Sequence, residues 1–259
     1  MGDSEETLLR EPSHQSSSNL RFLREIAQYW ENSPGSANEK LENFTKYVSR
    51  EVITKFLARN EVFLKQLDVH GSVVELGVAR GASLMTWSHL SAIYEPSNYT
   101  REIIGFDTFA GFPSLDAQDT DSEGISEHLR LGGFSVGVNM KEDIEESIRV
   151  HDLTRFLGHI PKVRLVRGDI ETTLPSFIES NPHLVVSLLH LDADLYRPTR
   201  IGLELLIPRI PRGGVIVFDE INSRLFPGET VALIEAVGIR TLKLHRVSYC
   251  PTLSYAIVE

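Results

Sequence analysis

The sequence predicts an α/β fold: a mostly parallel sheet with helices on both faces, ending in an antiparallel hairpin. Three observations carry that expectation. Five short β-branched runs recur between residues 72 and 219, longer amphipathic stretches separate them, and the closing segment RTLKLHRVSYCPTLSYAIVE reads as two strands about a turn at Pro251. Strands that alternate with helical stretches need crossover connections, and those connections cover both faces of a parallel sheet.

Taken in order, residues 1–19 are polar and close on Ser16-Ser17-Ser18. Such a segment has too little apolar content to pack and is expected to be a disordered tail. From Leu20 to Leu67 apolar residues recur at three and four, with Phe22, Leu23 and Ile26 first and Val52, Ile53, Phe56, Leu57, Phe63 and Leu64 later. That spacing predicts helices, interrupted by a turn at Asn32-Ser33-Pro34-Gly35-Ser36. These helices form an expected N-terminal cap over residues 20–70, followed by the main domain over 71–259. Within it, strands are expected at 72–77, 102–107, 162–169, 185–192 and 213–219, and helices over 82–94, 141–157, 172–180 and 199–209. Leu84, Trp87, Leu90 and Ile93 are expected on the packed face of the first of those helices, and Tyr29 and Trp30 in the packing of the N-terminal ones. The segment around 113–139 is rich in Gly, Asp and Ser and too long for a plain connection, so it is expected to be a lid or substrate loop.

Composition narrows the partners. A net charge of -10 argues against a non-specific nucleic-acid binder, which needs clustered Lys and Arg against phosphates. Small molecules, cations or other proteins remain. The single cysteine, Cys250, rules out a disulfide framework or a cysteine zinc site within the chain. The opening residues show no basic segment followed by an apolar one, and no run reaches the roughly 18 apolar residues of a membrane span. A soluble, cytoplasmic protein is expected, a homo-oligomer without membrane or nucleic-acid partners. The histidines show no metal-ligand spacing, and His190, within a strand run, is expected to be a core histidine.

The chemistry should lie at the strand ends, because open α/β sheets bind ligands outside the carboxyl edge. Glu75-Leu76-Gly77, Asp107, Gly168-Asp169, Asp192 and Asp219 all close strands. The turn from Glu75 to Ser83 leaves a strand and opens a helix. Its glycines, Gly77 and Gly81, let backbone approach a ligand, and the N–H groups at the helix start can receive a carboxylate. The spacing G-x-x-x-G fails the dinucleotide pattern and lacks the ending of a phosphate loop. Asp107 could accept both hydroxyls of a ribose. A nucleoside without a pyrophosphate is implied, S-adenosylmethionine being the common one, with an NAD enzyme as competitor.

A second constellation is Asp192, Asp194, Asp219 and Glu220. A right-handed crossover through residues 199–209 would set the fourth and fifth strands side by side, their tips roughly 5 Å apart. Carboxylates that close share a proton, pair with a cationic side chain such as Arg197 or Arg200, or bind a hard divalent cation. Asp194 would project to the side of Asp192, about 6.6 Å away, if the strand continues.

Four motifs carry a family resemblance. Glu75-x-Gly77-Val78-x-x-Gly81, Gly105-Phe106-Asp107-Thr108-Phe109-x-Gly111-Phe112-Pro113, Leu191-Asp192-x-Asp194-Leu195-Tyr196-x-x-Thr199 and Gly213-Gly214-x-Ile216-x-x-Asp219-Glu220 stand in the order of the macrocin O-methyltransferase (TylF) family. The chain resembles that family from about Tyr47 onward. The resemblance implies a Rossmann-like class I methyltransferase fold, and an S-adenosylmethionine-dependent enzyme that methylates hydroxyls, notably of antibiotic deoxysugars, with magnesium. It implies cofactor contacts at Glu75, Gly77, Gly81 and Ser83, a ribose acid at Asp107, the adenine pocket at Asp169 and Ile170, and Tyr47 near the methionine part. It also implies metal ligands at Asp192 and Asp219, with Glu220 as a third, and Asp194 as general base. The chain departs from the family at Glu220 and Ala193, where the family has Asp and Gly, and in the loop from Asn222 to Thr230. The resemblance implies as acceptor a hydroxyl of a sugar or other natural-product intermediate, while the differing loop keeps a catechol-like or other non-sugar diol open; a catalytically silent cofactor-binding scaffold is the alternative outside catalysis.

Overall fold

A computed structural model describes residues 15–120 and 126–259; most of the expected tail and residues 121–125 of the expected lid lie outside the described residues. The chain divides into two compact units, residues 1–55 and 56–259.

In the first unit, helix α1 (Ser17–Asn32) begins three residues before the expected boundary, because Ser16 and Asn19 cap one another's backbone N–H groups. Helix α2 (Ala37–Glu42) follows the Pro34-Gly35 turn and opens on the same reciprocal arrangement between Ser36 and Glu39. Neither helix has a buried residue. Tyr29 and Trp30 instead pack against Tyr47, at ring separations of 5.4 and 4.9 Å.

Helix α3 (Arg50–Leu64) leads into the main unit, where it buries Ala58, Arg59, Val62 and Phe63. Strands and helices then alternate: β1 (Ser72–Leu76), α4 (Ala82–Tyr94), β2 (Ile103–Asp107), α5 (Met140–Asp152), β3 (Val163–Arg167), α6 (Ile170–Ser180), β4 (Val186–Leu191), α7 (Tyr196–Leu206), β5 (Val215–Phe218), α8 (Pro227–Ala236), β6 (His245–Val247) and β7 (Cys250–Ile257). The sheet runs β3-β2-β1-β4-β5-β7-β6, with β7 antiparallel to both β5 and β6 and the other pairs parallel. Strands β1, β4 and β5 are buried along their whole length, which is why they read as nearly continuous apolar runs.

Strand order reverses at β1, between β2 and β4, and such a switch point opens a crevice at the carboxyl edge. Register fixes what lines it. Leu76 pairs with Phe106 and Leu191, and Leu191 with Phe218, so Gly77, Asp107, Asp192 and Asp219 emerge together.

Three details differ from the sequence expectation. Helix α8 occupies part of what read as a loop; its apolar residues Val231-Ala232-Leu233-Ile234 are consecutive and give no spacing of three and four. The hairpin turns at Ser248-Tyr249, and Pro251 lies inside β7, exposed, where the register with β6 shifts and no ladder N–H is needed. Ile93, expected on the packed face of α4, is 63% exposed, while Leu84, Trp87 and Leu90 are buried.

Candidate active site

The turn after β1 is built by close backbone approach. Gly77 has φ +93°, and a Cβ there would stand 1.9 Å from the carbonyl oxygen of Asp192, so the tips of β1 and β4 touch main chain to main chain. Gly81, at φ +83°, forms the N-cap of α4. Glu75 does not reach this surface. Fully buried, it accepts hydrogen bonds from Ser83 Oγ at 2.7 Å and Trp87 Nε1 at 2.8 Å, and its Oε2 lies 3.3 Å from His190 Nδ1. Glu75 and Ser83 therefore brace the turn from beneath, where both had been expected to touch a cofactor.

Asp107 has a role beyond the expected one. Its Oδ2 accepts the N–H groups of Val78 and Ala79 at 2.7 and 2.8 Å, and Oδ1 accepts that of Phe109 at 2.6 Å. Ala79 and Phe109 hold φ of 48° and 54°, a region uncommon for residues with a side chain, and the carboxylate ties both in place. The Val78 and Ala79 N–H groups, in the turn ahead of α4, are thus bound to Asp107, whereas the N–H groups expected to receive a ligand carboxylate belong to the helix start at Ala82. A carboxylate offers about four lone-pair sites, so capacity for one further donor remains.

Asp192 and Asp219 stand beside each other at the tips of β4 and β5. Arg197 and Arg200, the cationic partners weighed from sequence, are engaged elsewhere: Arg197 with Asp116 at 2.7 Å, and Arg200 with Glu204 at 2.8 Å and Glu235 at 3.3 Å. Burial, and then the like charge of Asp219, push the Asp192 carboxyl up to about 7, against the opposing pull of His190 and Arg59. His190 is fully buried, with Nδ1 at Glu75 and Nε2 3.9 Å from Asp192 Oδ2, beyond hydrogen-bond reach. Burial works against its charged form, yet the Glu75 bond and the Asp192 charge raise it above the ordinary imidazole value. As a core histidine it is satisfied on one nitrogen only; Nε2 has no hydrogen-bond partner.

The strand does not continue through Asp194. The Leu195 N–H donates to the Ala193 carbonyl at 2.7 Å and Asp194 turns at φ 60°, so the extended spacing of 6.6 Å anticipated from sequence does not apply. The three-acid set of Asp192, Asp219 and Glu220 is also not assembled: among the described residues no three His, Cys, Asp or Glu side chains gather closely enough to hold a metal. Strand β5 has ended at Phe218, and the Glu220 N–H is tied to Glu229 Oε1 at 3.1 Å, on the first turn of α8. What is assembled is an all-oxygen pair that, among the described residues, has no Lys or Arg within ion-pair distance, His190 Nε2 lying 3.9 Å from Asp192. That donor chemistry suits a hard divalent ion at Asp192 and Asp219.

Glu229 was not anticipated. It is fully buried, its Oε2 has no hydrogen-bond partner, and burial together with the charges of Asp219, Asp194 and Glu220 holds its carboxyl well above the usual range, against the pull of the Glu220 N–H. It sits on the helix that the sequence pattern hid.

One pocket brings together Gly77, Asp107, Asp169, Ile170, Asp192 and Asp194. Glu75, Gly81, Ser83, Asp219 and Glu220 do not line it, and Tyr47 belongs to the N-terminal unit, its hydroxyl 3.1 Å from Ser33 Oγ. Asp169 caps α6 through the Glu171 N–H at 2.9 Å, which presents Ile170 at the pocket rim. Pro113 and Phe134 of the expected lid, with Phe112 just before it, line the pocket. The lid is held shut on itself where the Phe112 N–H donates to the Gly133 carbonyl at 3.0 Å and the Gly132 N–H to the Phe112 carbonyl at 2.9 Å. The buried Asp119 fastens it to α7, accepting the Tyr196 N–H at 2.6 Å.

The chain is similar to known O-methyltransferases. Residues 50–228 match the profile of a family described as Macrocin-O-methyltransferase (TylF). The solved calicheamicin methyltransferase CalS11 is 31% identical, with a TM-score of 0.88 over 94% of each chain. A tetracenomycin 4'-O-methyltransferase of Streptomyces olivaceus is 30% identical over 158 residues, 59% of this chain and 53% of that enzyme, so the match spans about half that relative's length. Demethyldecarbamoylnovobiocin O-methyltransferase of Streptomyces niveus is 24% identical over 83% of this chain and 75% of that enzyme.

Proposed function

The chain belongs to the macrocin O-methyltransferase (TylF) family, and from that membership we propose an S-adenosylmethionine-dependent O-methyltransferase acting on a hydroxyl of a sugar or other natural-product intermediate. The observation that carries the reading is the single pocket at the strand-order switch, with Asp107, Asp169 and Ile170 toward one part and the carboxylates of Asp192 and Asp194 in the same cavity.

Asp169 and Ile170 border the adenine, Asp107 takes a ribose hydroxyl with its remaining lone pair, and Gly77 admits the cofactor against bare backbone. The acceptor oxygen attacks the methyl carbon in line, the carbon–sulfur bond breaks toward sulfur, and Asp194 receives the hydroxyl proton. Phe112 and Phe134 keep water from the reacting atoms. Asp192 and Asp219 would hold magnesium or another divalent ion, which would orient acceptor oxygens and lower the pKa of the attacking hydroxyl. Tyr47 is proposed for the methionine part on the family resemblance alone. A cytoplasmic homo-oligomer is proposed with it; no described helix is long and apolar enough to cross a membrane, and α1 carries Leu20 and Phe22 exposed.

The test is methyl transfer from labelled S-adenosylmethionine to a panel of nucleotide deoxysugars, glycosylated polyketides and catechols, with and without chelator. Transfer to a hydroxyl supports the reading, and selectivity for catechols would move the acceptor class. Failure to bind the cofactor at all would overturn it.

A further inference from the structure

The pocket is acidic and offers no seat for a phosphate. Asp107, Asp169, Glu171, Asp192 and Asp194 line it, and among the described residues no Lys, Arg or His does. Arginines on adjoining segments face other acids, Arg197 holding Asp116 at 2.7 Å and Arg167 holding Glu142 at 3.3 Å. Arg80, Arg130 and Arg224 are exposed on bordering loops, outside the lining. Helix N-termini are the other usual seat for a phosphate. At this edge of the sheet Asp169 accepts the Glu171 N–H of α6 at 2.9 Å, Asp119 accepts the Tyr196 N–H of α7 at 2.6 Å, and α8 opens on Pro227, which has no N–H. The rest of the wall is apolar, with Phe112, Pro113, Phe134, Leu195 and Pro198. Phe134 meets Phe112 at 5.5 Å and Phe226 at 5.7 Å, and His128 stacks on it at 4.2 Å. Close to Phe134 in the chain, Leu131 and Val138 are 68% and 91% exposed, so apolar surface continues past the aromatic cluster.

We propose that the acceptor is a completed glycoside, a phosphate-free sugar whose apolar aglycone lies on Phe112 and Phe134, and that nucleoside diphosphate sugars are excluded. Methylation then follows glycosyl transfer, and a glycosyltransferase reaction must supply the substrate. The inference rests on the methyltransferase reading above and narrows its acceptor. A diphosphate bridge is doubly anionic, and here it would give up water beside like charges without a donor to replace it. A divalent ion held by Asp192 and Asp219 would balance only that pair. Burial, and then the like charge of Asp169, already hold the Glu171 carboxyl above its ordinary value, which reflects the same crowding of negative charge. An aglycone meets none of this repulsion. It gains burial of apolar area, and an aromatic one also gains ring contacts with the phenylalanines.

The experiment uses titration calorimetry on the full chain saturated with S-adenosylhomocysteine, and compares matched pairs that share one sugar: the 4-nitrophenyl glycosides of rhamnose and glucose against their thymidine diphosphate derivatives. The aryl glycoside is expected to bind at least about 10-fold more tightly within a pair. Glu171→Arg brings a cation to the pocket and should strengthen the nucleotide sugar by about 5-fold or more while the aryl glycoside stays within about 2-fold. Phe134→Ala should weaken the aryl glycoside by about 5- to 10-fold, and wild-type affinity in that variant would overturn the aglycone seat. Equal binding within each pair, or tighter binding of the nucleotide sugar, overturns the inference and leaves the methyltransferase reading standing. Binding of neither by protein that holds S-adenosylhomocysteine also overturns it, because the aromatic wall then seats no aglycone. Protein that does not bind S-adenosylhomocysteine overturns the cofactor reading and this inference together.

Discussion

Replacing Asp107 by Asn separates two roles that the sequence had merged into one. As a ribose acceptor alone, Asp107 could lose its charge with little effect on the unliganded protein. The structure gives it three backbone N–H partners, at 2.6 to 2.8 Å, on two loops. Asn keeps one acceptor oxygen and turns an amide toward the other donors. Bonds to a charged group are worth about 1.5–3 kcal/mol and neutral ones about 0.5–1.5, with a penalty for each N–H left unmet. Discounted for the partial exposure of the site, the loss is about 2–4 kcal/mol. At about 2–4 °C per kcal/mol for a chain of this size, the midpoint should fall by about 4–16 °C. Thermal melts by circular dichroism, without ligand and with saturating S-adenosylhomocysteine, read both roles. Stabilisation by the ligand should shrink as well. A variant that melts within about 1 °C of wild type without ligand would refute the clamp, whatever its effect on binding.

Gly77→Ala should be among the most damaging small substitutions, since its Cβ would stand 1.9 Å from the Asp192 carbonyl at a φ of +93°; urea unfolding should show a loss of several kcal/mol, or no soluble protein. Glu229→Gln keeps an acceptor for the Glu220 N–H and should stay close to wild type, whereas Glu229→Leu leaves that N–H unmet and should lose about 1–3 kcal/mol, read in the same assay. Asp192→Asn should abolish chelator-sensitive turnover while S-adenosylhomocysteine affinity stays within a few-fold; wild-type turnover in excess chelator would refute the metal role. Lys162, 4% exposed, is pushed down to about 8 by burial, so between there and its ordinary value of 10.5 the unfolded chain binds more protons than the folded one and stability rises with pH. The melting difference between wild type and Lys162→Met should therefore shift in favour of wild type from pH 8 to 10, and a constant difference would refute that burial.

The fold was legible because its central strands β1, β4 and β5 are buried along their whole length and most of its helices carry regular spacing. Strand ends were legible for the same reason at Asp107 and Asp192, which each follow an apolar run, while Asp169 follows the mixed run KVRLVRG, and register brings all three to one edge. What the pattern could not convey was direction. Glu75 and Asp107 look alike as acids closing strands, yet one points into the core toward Ser83 and Trp87 and the other rims the pocket. Asp194 defeated the strand geometry because a tight turn after Ala193 leaves no mark in its composition. Glu229 escaped notice because consecutive apolar residues hid its helix. Phe112 and Phe134 meet at 5.5 Å through backbone closure of the lid, a contact that local sequence does not encode.

The central claim is that the cleft between the tips of β1, β2 and β4 holds an S-adenosylmethionine-type cofactor. A crystal structure after soaking with S-adenosylhomocysteine tests it most directly. The account predicts adenine density beside Asp169 and Ile170, ribose at Asp107 and the sulfur facing Asp194. Ligand density elsewhere, or an empty cleft at saturating ligand, would contradict it.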